Sequence, residues 1–223
     1  MTEQNHTTRG AASPDAGTIE PADALTQAAA MIGDAFARGN RLYLCGNGGS
    51  AADCEHIAGE LLKSFLLPRP LCEPDRAALD LVDPAGKLSA NLQGALPVFS
   101  LVSQTAFLTA WSNDADPDCV FAQQIYGYGV RGDVLLCFST SGNSENIRLA
   151  ALAAKAKGVL TVLVTGEGGG TIARIADLTV RLPAGETARI QELTMPFYHR
   201  LCAMLEARFF GAEETEDFDH GSL

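Results

Sequence analysis

What most constrains this chain is a rhythm. Short apolar runs, each closed by small polar residues, alternate with longer stretches of helical spacing. Asp133-Val-Leu-Leu-Cys-Phe138 is the sharpest case, apolar at every position after the aspartate. A strand of that kind has no wet face and must be covered on both sides. Arg41-Leu-Tyr-Leu-Cys45, Pro97 to Val102, Val159 to Val164 and Leu178 to Leu182 read as further strands. Pro21 to Ala37 carries Leu25, Ala28, Ala29, Ile32 and Phe36 at helical period and stops at Gly39-Asn40. Ala51 to Phe65, Thr105 to Trp111, Asp118 to Tyr126, Ser144 to Lys157 and Thr187 to Phe210 read as helices, with a short one after Gly166 to Gly170. The alternation predicts an α/β fold, mainly a parallel sheet with helices on both faces, preceded by an N-terminal helix. In such folds ligands bind at the carboxyl ends of the strands.

One stretch breaks the rhythm. Leu67 to Gln93 holds four prolines and several charges, and is expected to be a long loop or inserted subdomain. Residues 1–18 show no periodicity and are expected to be disordered. The end, 211–223, reads as an acidic, solvated tail through Glu213-Glu214-Thr215-Glu216-Asp217. A single domain over 19–210, with a loop insert at about 67–96, accounts for the rest.

Charge narrows the function. Sixteen Lys and Arg against 27 Asp and Glu give −11, without the basic cluster that grips a nucleic-acid backbone. No apolar run approaches the ~18 residues of a membrane span, and the polar N-terminus lacks the apolar core of a secretory signal. The six cysteines are scattered without a CxxC pair, which suits buried free thiols in a reducing cytoplasm. No nucleic acid, no membrane and a cytoplasmic location are the expectations.

Two strand–loop–helix units look alike: Leu42-Tyr-Leu-Cys-Gly-Asn-Gly-Gly-Ser50 and Val134-Leu-Leu-Cys-Phe-Ser-Thr-Ser-Gly-Asn-Ser144. Each leaves a strand through small residues and enters a helix at a serine able to cap it. Free N–H groups at a helix start, with hydroxyls from Ser139, Thr140, Ser141 and Ser144, suit a phosphate. Either loop alone is equally an ordinary tight turn. No G-x-x-x-x-G-K-[ST] is present, which excludes a P-loop. Gly46-Asn-Gly48-Gly-Ser-Ala51 matches the dinucleotide fingerprint, but no acid ends a second strand about 20 residues on, where Phe65-Leu-Leu-Pro-Arg-Pro stands instead.

His56 and Glu60 are four residues apart on a predicted helix, hence on one face. His199 lies in the last helix, eight residues after Gln191. Imidazole, carboxylate and amide oxygen are all credible zinc ligands. Taken singly, the first pair is as readily a surface ion pair and His199 a packed core histidine.

Together these features resemble the sugar isomerase (SIS) domain family, in its phosphoheptose isomerase branch. The likeness runs from about Pro21 to Phe210, apart from the insert. Its carriers are Cys45-Gly-Asn-Gly-Gly-Ser50, His56-x3-Glu60, Asn113-Asp114, Gly132-Asp-Val-Leu-Leu136, Ser139-Thr-Ser-Gly-Asn-Ser144, Thr165-Gly-x-Gly-Gly169 and Arg189-Ile-Gln-Glu192 with His199. The resemblance implies an SIS-type, flavodoxin-like three-layer sandwich. It implies conversion of sedoheptulose 7-phosphate to D-glycero-D-manno-heptose 7-phosphate through an enediol. Ser139, Thr140, Ser141 and Ser144 would hold the phosphate. Asn47, Gly48, Gly49, Ser50, Asn113, Asp114 and Gln191 would line the sugar. His56, Glu60, Gln191 and His199 would bind one zinc, with Glu60 and His199 moving protons. A homotetramer with sites between subunits is also implied. Eight helical residues span ~12 Å, far for two ligands of one ion. The expectations are therefore a kink at Pro196, or else a Gln191 that sits in an irregular first turn or arrives from a neighbouring chain.

The sequence departs from the family in the surplus between Cys72 and Gln93, and in Ala188, where some relatives place an acid before Arg189. Two alternatives share the fold. One is a non-catalytic SIS module that binds a phosphosugar or the bacterial replication initiator protein; its kind lacks the matches to Glu60 and His199 present here. The other is a phosphosugar-sensing regulator with an attached DNA-binding domain, for which no room is expected ahead of Pro21.

Overall fold

A computed structural model of the chain describes residues 21–211. The expectations for 1–18 and for the tail beyond Gly211 lie outside them. The elements follow in the order α1 (Pro21–Ala37), β1 (Leu42–Cys45), α2 (Gly49–Leu62), α3 (Glu73–Val82), α4 (Lys87–Asn91), β2 (Val98–Ser100), α5 (Thr105–Asp114), α6 (Val120–Tyr128), β3 (Val134–Phe138), α7 (Glu145–Lys157), β4 (Leu160–Gly166), β5 (Leu178–Leu182) and α8 (Thr187–Phe210). Short 3₁₀ turns stand at Pro117–Cys119 and Ile172–Arg174.

The five strands form one parallel sheet in the order β2-β1-β3-β4-β5. Strand order reverses direction of growth between β1 and β3, which opens the crevice where such folds bind ligands. Period-two alternation divides β3 between two cores. Val134, Leu136 and Phe138 face the layer built from α1, α2 and α8, where they meet Ile32, Ile57 and Leu201. Leu135 and Cys137 face the other layer, with Ile125 of α6 and Ile147 and Ala150 of α7. Each such buried Leu, Ile or Phe contributes roughly 1.5–3 kcal/mol over its exposed state. At the amino ends of the strands the buried Asp133 carboxylate accepts N–H bonds from Asn40, Arg41 and Val130, fixing β1 beside β3.

The insert over about 67–96, expected as a long loop or an inserted subdomain, is helical. It forms α3 and α4, packed against each other and closed at the base where the Gly94 N–H donates to the Arg69 carbonyl at 2.8 Å. Pro74 is no obstacle to a helix there. It lies in the first turn of α3, where a proline starts a helix rather than breaking it. Neither helix buries a residue, and Leu81 and Val82 are largely exposed. Cys45, Cys54, Cys137 and Cys202 are free and buried, while Cys72 is exposed. Among the described residues, no helix is long and apolar enough to cross a membrane.

Candidate active site

At the carboxyl ends of β1 and β3 lies a cleft of about 230 Å³, lined by Asn47, Gly48, Gly49, Ser50, Phe138, Ser139, Thr140, Ser144, Thr187 and Gln191. Three helices, α2, α7 and α8, begin at its wall, and none is capped by its N-cap side chain, although in α7 the Asn146 Oδ1 accepts the Ile147 N–H at 3.0 Å. Their first-turn N–H groups therefore supply positive potential to a cleft that no Lys or Arg lines. A larger cavity of about 420 Å³ lies between α1 and α8. It is mostly apolar and has none of the loop hydroxyls, so the smaller cleft is the chemically equipped one.

The serines act differently from expectation. Gly48, not Ser50, is the N-cap of α2; it has φ 56° and Ser50 is buried inside the first turn. That φ suits glycine, and it turns the chain sharply enough to bring the loop onto the cleft. Ser144 is the N-cap of α7, yet its hydroxyl meets the Ser139 hydroxyl at 2.9 Å instead of capping. Both hydroxyls thus stay in the cleft. Ser141 is exposed on the same loop, and its Oγ accepts the Asn143 N–H at 3.2 Å and shapes the turn. Gly142, Gly169 and Gly170 all have positive φ. A Cβ on Gly142 or Gly170 would strike the backbone of the other loop. The Thr165-Gly-x-Gly-Gly169 segment is therefore the buttress behind the Ser139–Ser144 loop. Asn47 and Asn146 exchange reciprocal amide bonds, both 2.9 Å, and tie the two loops together.

From this cleft α2 and α8 run side by side, and two turns along they bring a second cluster together. His56 Nε2 donates to Glu60 Oε1 at 3.2 Å, and the His56 and His199 rings meet edge-to-face with centroids 5.2 Å apart. Phe65 packs on His199 at 5.5 Å. Lys63 Nζ donates to Glu60 Oε2 at 2.8 Å. Burial pushes the Glu60 carboxyl up, but Lys63 and then His56 outweigh it and hold it below its ordinary value. Glu60 is thus an ionised carboxylate at neutral pH.

A buried clamp holds α2 against α8. Arg69 and Glu206 are both fully buried and pair at 2.8 Å. Arg69 donates to the Leu61 and Glu60 carbonyls at 2.7 and 2.8 Å, and its guanidinium stacks on Phe210. Glu206 accepts the N–H groups of Phe65, Leu66 and Leu67. The clamp fixes the register in which His56 of one helix meets His199 of the other.

Comparison with known proteins agrees with this geometry. SIS domain profiles match residues 121–207 and 12–80. A phosphoheptose isomerase of Aneurinibacillus thermoaerophilus is 36% identical over 186 residues, 83% of this chain and 82% of that protein. One from Desulfovibrio desulfuricans is 36% identical over 205 residues, 92% of this chain and 86% of its own length. The chain belongs to the SIS domain family, in its phosphoheptose isomerase branch. The solved phosphoheptose isomerase of Neisseria gonorrhoeae superposes with a TM-score of 0.67 at 31% identity, covering 83% of this chain and 86% of that one.

Within the SIS frame, the residues expected from the sequence divide into two groups and a remainder. Asn47, Gly48, Gly49, Ser50, Ser139, Thr140, Ser144 and Gln191 line the cleft. His56, Glu60 and His199 form the second cluster. Ser141 does not line the cleft, and neither do Asn113 and Asp114, which are exposed at the end of α5 and bonded to each other. Gln191 stays with the cleft, its amide packed against Gly49, and α8 continues through Pro196. Thr187, Asn146 and Tyr198 were missed. Thr187 opens α8 and has a legible helix-start signal; the other two are recognisable only once α2, α7 and α8 are in place.

In donor chemistry the second cluster fits a zinc ion: two imidazoles and a carboxylate, with the Nε2 of His199 buried and without a hydrogen-bond partner. Among the described residues, however, no three His, Cys, Asp or Glu side chains stand as a formed metal cluster. Glu60 is held by Lys63 and His56 instead.

Proposed function

We propose that this chain, an SIS-family phosphosugar isomerase, converts sedoheptulose 7-phosphate to D-glycero-D-manno-heptose 7-phosphate with a zinc ion held by His56, Glu60, Gln191 and His199. The observation that carries the reading is the convergence of three uncapped helix starts and the Ser139, Thr140 and Ser144 hydroxyls on one cleft without a basic side chain. Such a cradle suits the unreacting phosphate, whose binding orients the far end of the sugar. Glu60, kept ionised by Lys63, takes the proton from C1 and returns it to C2. His199 moves the proton between the two oxygens, so the enediol forms and collapses without net change. Zinc, when bound, supplies stabilisation of the negative charge that develops on oxygen.

The acting unit in this reading is a homotetramer. Gly49 to Glu60 spans ~16 Å along α2, and Gln191 to His199 ~12 Å along α8. Completing the site across chains would bring a cradle within reach of a neighbouring Glu60 and a Gln191 to a neighbouring His199. Met195 and Met204 support this, lying exposed on α8 although Phe197, Leu201 and Leu205 are already buried. A monomer in sedimentation at micromolar concentration would oppose it.

The test is appearance of the aldose from sedoheptulose 7-phosphate, with added zinc and with chelator. Glu60→Gln and His199→Asn are each expected to lower kcat by at least about 10²–10⁴-fold, the usual range for a lost acid–base group. A wild-type protein inactive with zinc, or a His199→Asn variant at full rate, would transfer the chain to the non-catalytic, ligand-binding SIS modules.

A further inference from the structure

The two loops of the cleft leave neighbouring strands and are carried off in opposite directions. The β1–β3 ladder ends at the Cys45–Cys137 pair. Beyond it α2 turns to one face of the sheet, where it buries Cys54, Ile57 and Leu61. The other face receives α7, which buries Ile147, Ala150 and Ala154 there. Neither layer therefore holds the loops at a fixed separation. Their support differs too. The Ser139–Ser144 loop is braced from behind by the glycine backbone at 169–170. An added Cβ at Gly48 would meet nothing within 4 Å, so the Asn47–Gly49 loop has open space on that side. From the α8 side it meets the packed Gln191 amide. Its hydrogen-bonded hold comes from Asn146, in the first turn of α7 and 99 positions away. Each amide donates to the other at 2.9 Å, and the Ile147 N–H on Asn146 Oδ1 sets that side chain against its own helix. Among the described residues, no other hydrogen bond joins the two loops.

We propose that Asn146 is a positioning residue for the isomerisation. It does not line the cleft and acts through Asn47, holding the sugar-facing loop at a set distance from the braced phosphate loop. The inference rests on the proposed isomerase reading, which puts the phosphate on the hydroxyls of one loop and the sugar against the other. Both ends of one substrate are held in register only if the two loops are. An amide pair suits this task, because each side chain carries a donor beside an acceptor and the two bonds close together. A slack Asn47 loop would leave the phosphate anchored and the reacting carbons misplaced, and a misplacement of about 1 Å costs on the order of 10²-fold in rate. The effect expected is thus a loss of kcat rather than of affinity, the reverse of what removing the cradle hydroxyls would give.

Asn146→Ala removes the tie and keeps a good helix former in α7. Its kcat on sedoheptulose 7-phosphate should fall about 10–100-fold, while KM and the inhibition constant of inorganic phosphate stay within about threefold of wild type. Asn146→Asp keeps the size but only accepts, so oxygen faces oxygen at one of the two bonds and the rate should not be restored. With Asn47 already alanine, Asn146→Ala should cost less than about twofold more, because its partner is gone. Additive losses in that cycle, or an unchanged kcat in Asn146→Ala, would overturn the proposal. Hydrogen exchange gives a readout without turnover: in Asn146→Ala the amides of 47–51 should exchange faster and those of 139–144 at the wild-type rate. Unchanged exchange at 47–51 would overturn the proposal, and so would faster exchange in both loops, which marks a general loosening. A wild type without isomerase activity would instead remove the catalytic reading, and exchange alone would then decide whether Asn146 holds the loop.

Discussion

The two ends of α2 meet the same backbone problem in opposite ways. Every helix starts with N–H groups and ends with carbonyls that have no partner within it. At the start of α2, Gly48 is the cap and no side chain covers the first turn, which faces the cleft. At the end, buried Arg69 takes the Glu60 and Leu61 carbonyls and is itself neutralised by buried Glu206. At the start the Ser50 and Ala51 N–H groups are met only by the Asn47 and Gly48 carbonyls, which leaves the helix's positive end turned to the cleft, whereas the other end is closed by buried side chains. An unmet group at a wet cleft recruits an anion, whereas one in the interior must be met by the chain.

The largest effect that would break this contrast is at the closed end. Arg69→Met leaves Glu206 buried without its counter-ion, and a loss of about 3–5 kcal/mol is expected in urea unfolding. A change under 1 kcal/mol would mean the clamp is not structural. At the open end, Ser139→Ala with Ser144→Ala should leave unfolding nearly unaltered while raising KM, each lost charge-assisted bond being worth roughly 1.5–3 kcal/mol. An unaltered KM would strip the cleft of its assigned role.

The third prediction sharpens the contrast through pH. Burial pushes the Glu206 carboxyl up, but the Phe65, Leu66 and Leu67 N–H groups and Arg69 outweigh it and leave it below the ordinary value. A carboxylate depressed in the folded state stabilises the protein above its unfolded pKa, about 4.3, and loses that contribution as pH falls toward the folded value. The unfolding midpoint of the wild type should thus decline below about pH 5, and that part of the decline should be missing in Glu206→Gln. Parallel curves for the two proteins would refute the assignment. The smallest effect is expected in the insert. Leu81→Gln with Val82→Gln, both already exposed, should change stability by no more than about 0.5 kcal/mol. A larger loss would show that a neighbouring chain covers α3.

Local signals made most of the fold legible. The apolar runs gave strands within a residue or two of β1, β3 and β5, and α1 and α8 have the expected bounds. The glycine–serine loops also marked the cleft, because turn chemistry is a property of neighbouring residues. Elsewhere a residue had two local options that spacing along the chain does not separate. Ser144 could cap α7 or meet Ser139, and it meets Ser139. Pro74 could break a helix or begin one, and it begins α3.

By itself, then, the sequence determined the alternation of strands and helices, the two anion-type loops, and the pairing of His56 with Glu60. These depend on spacing along one element, which helix and strand geometry convert directly into position. Only the tertiary structure decided that β1 lies beside β3, that three helix starts share one cleft, and that Tyr198 stands behind His56. It alone showed that Arg69 reaches Glu206 across 137 positions of chain. Such contacts arise when separate elements bury their apolar faces against one sheet, and no local pattern records which residues will then be neighbours.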